Sequence, residues 1–103
     1  MSTGQEESSW TFLTNHAQVL LCVAHNPDIR MREIGERVGI TERAAQRIIQ
    51  DLVEADYVTR MRMGRRNHYV INPQAEMRHA AQQGHPVGQL LNLLQPEDRA
   101  RPR

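Results

Sequence analysis

The side chains here whose number and spacing best suggest chemistry are guanidinium groups. All thirteen basic residues of the 103 are arginine, a planar cation whose fork of donors matches phosphate oxygens and the O6/N7 edge of guanine. Their spacing matters more than the net charge of +1. Arg43 and Arg47 stand one helical turn apart, and Arg60, Arg62, Arg65 and Arg66 fall between Tyr57 and Tyr69 with no acid among them. The acids gather further forward and at both chain ends. Other chemistry is poorly supplied. There is no Gly-rich phosphate loop, no paired carboxylates placed for a cleft and no nucleophile beside a base, so an enzyme is not expected. Cys22 and His25 lie three residues apart, but a metal needs three or four convergent ligands, and there is no Cys-x-Cys or His-x-x-His run. No metal or other cofactor is therefore expected, and Cys22 reads as a small core residue.

The elements that must position these arginines run from Met31 to Asp56. Residues 31–38, MREIGERV, form a short helix with Ile34 and Val38 on one face. Gly39 can take the positive φ that stops it. Thr41 is the N-cap of a second helix, spanning 41–55, that buries Ala45, Ile48, Ile49, Leu52 and Ala55. On a 100° wheel Arg43, Arg47, Gln50 and Glu54 point the other way, with Gln46 at the flank. Gly35, four positions before Gly39, is the small residue that lets two helices cross closely. This is the layout of a helix-turn-helix. Residues 57–63 then read as a strand, Gly64 to Asn67 as a turn and His68 to Asn72 as a returning strand closed by Pro73. A basic hairpin directly after a helix-turn-helix is a wing.

From this point the chain resembles the winged helix-turn-helix transcriptional regulators, in particular small bacterial ones of the ArsR and MarR type. The resemblance covers roughly residues 14 to 72 and rests on the helix-turn-helix, the junction LVEADYVTR and the hairpin RMRMGRRNHYVI. The family usually has glycine where this chain has Asp56, a residue that tolerates a left-handed helix end better than most. The implied fold is mainly α with a β-hairpin wing, a three-helix core plus a C-terminal helix. The implied partner is double-stranded DNA. The recognition helix would offer Arg43, Gln46 and Arg47 to base edges, and Thr41 to a phosphate. Gln50 would sit nearer the backbone, as would Arg32 at the start of the first motif helix. Arg65 and Arg66 at the wing tip would reach a minor groove or flanking phosphates, with Arg60 and Arg62 on the supporting strand.

The remaining chain frames this unit. Residues 1–9 read as a polar disordered lead, 10–95 as the domain and 96–103 as a disordered tail. Trp10, Phe12 and Leu13 mark the expected start of packing. A first helix, capped by Thr14 or Asn15 and ending at Asn26-Pro27, has a stripe of Leu13, Ala17, Leu20, Leu21 and Ala24, widened by Val19, Cys22 and Val23. So broad an apolar surface needs a second cover, which the leucine-rich segment Val87 to Leu94 can supply. The resemblance implies that these two helices build a homodimer interface. Residues 74–86 read as a loop with a helical turn. The polar lead is not a signal peptide, and the longest apolar run, 19–24, is too short for a bilayer. The single cysteine fits the cytoplasm. Two alternatives stand beside the DNA reading. One is a metal- or redox-responsive regulator using Cys22 and His25; the other is a winged helix serving protein–protein contact.

Overall fold

Gly35 decides how the two halves of the motif meet. The computed structural model describes residues 10–95, and in it a Cβ built on Gly35 would fall 2.8 Å from the carbonyl oxygen of Ile40. No larger residue fits that approach without a backbone shift. Gly35 belongs to helix α2 (Met31–Val38), which stops at Gly39 with φ 85°. The Gly35 carbonyl accepts from the N–H groups of both Gly39 (2.8 Å) and Ile40 (2.9 Å), the closure that a left-handed terminal glycine allows. Two residues on, Thr41 Oγ1 accepts from the Ala44 N–H at 3.0 Å and starts helix α3 (Glu42–Glu54). Ala45, Ile48, Ile49 and Leu52 of α3 are buried, as its periodicity requires.

Helix α1 (Asn15–His25) is capped by Thr14, whose hydroxyl oxygen accepts from the Ala17 N–H at 3.1 Å. Its buried centre is Val19 and Val23, both fully covered, with Leu20 and Leu21 beside them. The sequence put the two valines on the flank and Ala17 and Ala24 on the main stripe. In the fold those alanines are only half-buried, because α1 packs at once against α2, α3 and the second strand of the hairpin. Trp10 and Phe12 also differ from expectation. They are 66% and 90% exposed, packed edge to face on each other with ring centroids 5.2 Å apart; the core begins at Leu13.

The wing consists of strands β1 (Val58–Met63) and β2 (Arg66–Ile71), antiparallel with Met63 opposite Arg66 and Val58 opposite Ile71. The turn is thus two residues, Gly64-Arg65, where the sequence suggested four. Gly64 takes φ 68°, and a glycine at the first central position lets a two-residue turn follow the twist of the strands. Asp56 at the α3–β1 junction has φ 65°, a left-handed conformation that Asp tolerates better than most residues. The Asn72 side-chain amide donates to its carbonyl at 3.1 Å.

Beyond the wing, the Tyr57 hydroxyl donates to the Glu76 carbonyl, a short 3-10 turn spans Ala80–Gln82, and helix α4 (Val87–Leu93) follows. Val87 and Leu91 join the core, but α4 does not close over α1. An open groove of about 720 Å³ remains, lined among others by Ala17, Leu20, Leu52, Met77, Val87 and Leu90. No helix among the described residues is long and apolar enough to cross a membrane. The disorder expected of 1–9 and 96–103 lies outside the described residues.

Candidate nucleic-acid interface

All ten residues assigned to the interface from sequence are exposed: Arg32 on α2, Thr41, Arg43, Gln46, Arg47 and Gln50 on or beside α3, and Arg60, Arg62, Arg65 and Arg66 on the wing. One contact shows how wing and helix are arranged. Arg60 Nη2 donates to Gln50 Oε1 at 3.1 Å, and Gln50 Nε2 donates to Glu54 Oε2 at 3.0 Å. Gln50 continues the outward row of Arg43 and Arg47 along α3. The bond from Arg60 therefore holds the wing beside that same row.

The register explains why Arg60 reaches α3. Residues opposite one another in an antiparallel pair share a face. Val58 and Tyr69, each 2% exposed, identify the face that looks inward, and Arg60 lies opposite Tyr69, Arg62 opposite Asn67. The other face carries Met61, Met63 and Val70 out to solvent. Arg62 Nε donates to the Gly64 carbonyl at 3.0 Å and stiffens the turn. Arg66 Nη2 donates to the Asp28 carbonyl at 2.9 Å, while His68 Nδ1 meets the Asp28 carboxylate at 2.8 Å. Together with the Tyr69 N–H on the Pro27 carbonyl, these contacts fasten β2 to the chain between α1 and α2. The wing is thus fixed at both edges before any ligand arrives.

The electrostatics suit a polyanion. The ion pairs among the described residues are His16–Asp51 and His68–Asp28, each 2.8 Å. No described arginine takes part in one, so their charge is left for an outside partner. Thr41 keeps a free O–H to donate, since the cap uses only its oxygen as acceptor. Arg30, which the sequence reading passed over, lies with Arg65, Arg66 and Asn67 around a second, smaller cleft. Only its place just before α2 could have flagged it.

Comparison with known proteins now bears on this geometry. A model of the MarR family matches residues 11–66, more than half of the chain and all of it from α1 to the wing turn. The chain belongs to the MarR family. It is a winged-helix, DNA-binding transcriptional regulator and not an enzyme. Two solved structures show the same fold. One is the PcaV transcriptional regulator from Streptomyces coelicolor in complex with its natural ligand, at 22% identity and TM-score 0.51 over 90% of this chain and 70% of that one. The other is RV1404 from Mycobacterium tuberculosis, at 16% identity and TM-score 0.52 over 95% of this chain and 69% of that one. No curated protein matches the sequence significantly.

Cys22 sits half-buried on α1. Burial pushes its thiol up, and the Arg37 guanidinium offsets part of that. A thiol held protonated is a poor nucleophile, which gives the redox reading no support. Among the described residues no three His, Cys, Asp or Glu side chains group as a metal site would require.

Proposed function

We propose that this MarR-family chain reads a specific duplex sequence as a homodimer in the cytoplasm. Helix α3 lies in the major groove, with Arg43, Gln46 and Arg47 on base edges. Arg65 and Arg66 of the wing reach the adjacent minor groove or its phosphates. Arg32 and the Thr41 hydroxyl meet the backbone. Arg60 and Gln50, bonded to each other, serve more to set the wing than to touch DNA. The observation that carries this reading is the outward row of Arg43 and Arg47 on α3 beside a wing tied to that row through Arg60 and Gln50, with no described arginine in an ion pair. The dimer is supported by what α1 and α4 leave open. Trp10, Phe12 and Leu93 (76% exposed) are bare, and the groove between the two helices is largely apolar. Two linked half-sites bind far more tightly than one.

Sequencing genomic fragments retained by the purified protein tests the specificity. Arg43→Ala and Arg47→Ala should each lose about 1–3 kcal/mol at the recovered site and relax its sequence preference. Arg65→Ala with Arg66→Ala should weaken all sequences evenly. Unchanged preference in the α3 variants would refute the assignment. A protein–protein winged helix would show no salt-dependent duplex binding. If a dimer neutralises about six to eight phosphates, log K should fall against log salt with a slope of about −5 to −7. A light-scattering mass of one chain at micromolar concentration would remove the dimer.

A further inference from the structure

The wing tip does not stand clear of the domain. Between it and the start of α2 lies a cleft of about 290 Å³ lined by Asp28, Ile29, Arg30, Met31, Arg65 and Arg66, with Asn67 and Tyr69 behind. Arg30, Arg65 and Arg66, from two separate elements, line so small a space, and among the described residues none of them is in an ion pair. Of the two carboxylates nearby, that of Asp28 is engaged by His68 at 2.8 Å and that of Glu33 accepts from the Arg30 backbone N–H. Arg66 is held in place through its bond to the Asp28 carbonyl, which uses one of its five N–H donors and leaves the rest. Arg30 is placed by its backbone, whose N–H donates to Glu33 Oε1 at 3.1 Å while its side chain stays exposed. Like charges gathered without an ion-pair partner repel one another, and an anion seated among them relieves that repulsion. A single tetrahedral phosphate diester matches the donor geometry of several guanidinium groups at once.

We propose that this cleft is a clamp for one phosphate of the DNA backbone, closed by Arg30 from the α2 side and by Arg65 and Arg66 from the wing. The proposal rests on the DNA reading above, assigns Arg65 and Arg66 to a phosphate within the wing contact, and adds Arg30 as a contact outside the recognition helix. It gives Arg30 a role in DNA affinity without a role in sequence choice. It also makes the wing's fastening to residues 27–28 part of the binding site, since the cleft exists only while β2 stays there. A backbone phosphate fits better than a free phosphate because two of the three arginines belong to the wing that the DNA reading lays on the duplex.

The test is fluorescence anisotropy of the full chain on a labelled mixed-sequence duplex across a series of KCl concentrations. Arg30→Gln should weaken binding about tenfold at moderate salt, the effect of one lost charged hydrogen bond, and should reduce the log–log salt slope by about one per bound chain. Arg65→Gln should do the same, and the double variant should lose little more than either alone, because both grip one phosphate. Arg78→Gln, a cation that lines the groove beside α1 instead, should leave the slope unchanged. The substitution at Arg30 keeps the Glu33 bond to its backbone, so an unaltered melting temperature is the expected folding control. A wild-type slope in Arg30→Gln overturns the clamp while leaving DNA binding intact. Loss of duplex binding by the unmodified chain would strike the DNA reading instead. Pyrophosphate that stabilises the wild type but not Arg30→Gln, with the DNA slope unmoved, would assign the cleft to a free phosphate compound and overturn the duplex assignment.

Discussion

Replacing Gly35 with alanine sets two effects of opposite sign against each other. Within a helix, Gly→Ala ordinarily stabilises by about 1 kcal/mol through backbone entropy and propensity. Here the new Cβ would lie 2.8 Å from the Ile40 carbonyl oxygen and 3.4 Å from the Thr41 carbonyl carbon. These are backbone atoms at the turn, so no side chain can swing aside. Relief requires α2 and α3 to part by several tenths of an ångström, and that strains the Gly35 carbonyl's bonds to Gly39 and Ile40. Overpacking of this kind costs about 1–3 kcal/mol, so the net effect is a destabilisation of about 1 kcal/mol. For a domain of this size that lowers the melting temperature by about 4–8 °C. Thermal unfolding followed by circular dichroism measures it directly. Because the displaced atoms are those that cap and aim α3, duplex binding should weaken further than the stability loss explains, even where the variant is fully folded. A melting temperature equal to or above that of the parent would show that helix propensity wins. The close crossing would then not be what sets the motif's angle.

Arg60→Ala should leave the melting temperature nearly unchanged yet weaken duplex binding by on the order of 1 kcal/mol, because the wing loses its tie to Gln50. Gln50→Ala should do the same, and the double variant no more than either; simple additivity would refute the brace. Tyr57→Phe removes the hydroxyl that satisfies the Glu76 carbonyl and should cost about 1 kcal/mol in chemical denaturation, with faster amide exchange in residues 74–86. Cys22 should react with a disulfide reagent at pH 8 several-fold more slowly in the folded chain than in denaturant, since burial raises its pKa and depletes the thiolate. Arg37→Gln should slow it further, because the cation that partly offsets burial is gone; equal rates folded and unfolded would contradict that environment.

How much of this could be read from the residues alone follows from the range of the forces involved. The helix-turn-helix is written in local terms: a capping Thr41, a left-handed Gly39, a small Gly35 and apolar residues at helical period. Each acts within a few positions of itself, so elements, caps and the outward row of Arg43 and Arg47 were legible. The left-handed junction at Asp56 was expected only through the family resemblance, which implied a glycine-like position there. Other features depend on which surfaces meet across the fold. The valines of α1 became its buried centre only because three elements close on that helix, whereas Trp10 and Phe12, apolar by type, pack on each other and stay exposed. The hairpin register turned on the φ of Gly64, and moving the pairing by one residue exchanges the faces of a strand. That choice sent Arg60 toward Gln50 and the methionines outward. Arg30 has no local signature at all. It gains significance only because β2, bound to Pro27 and Asp28, carries Arg65 and Arg66 across to it. Short-range chemistry therefore determined what the pieces are and which residues they expose. Long-range packing decided which of those residues stand together.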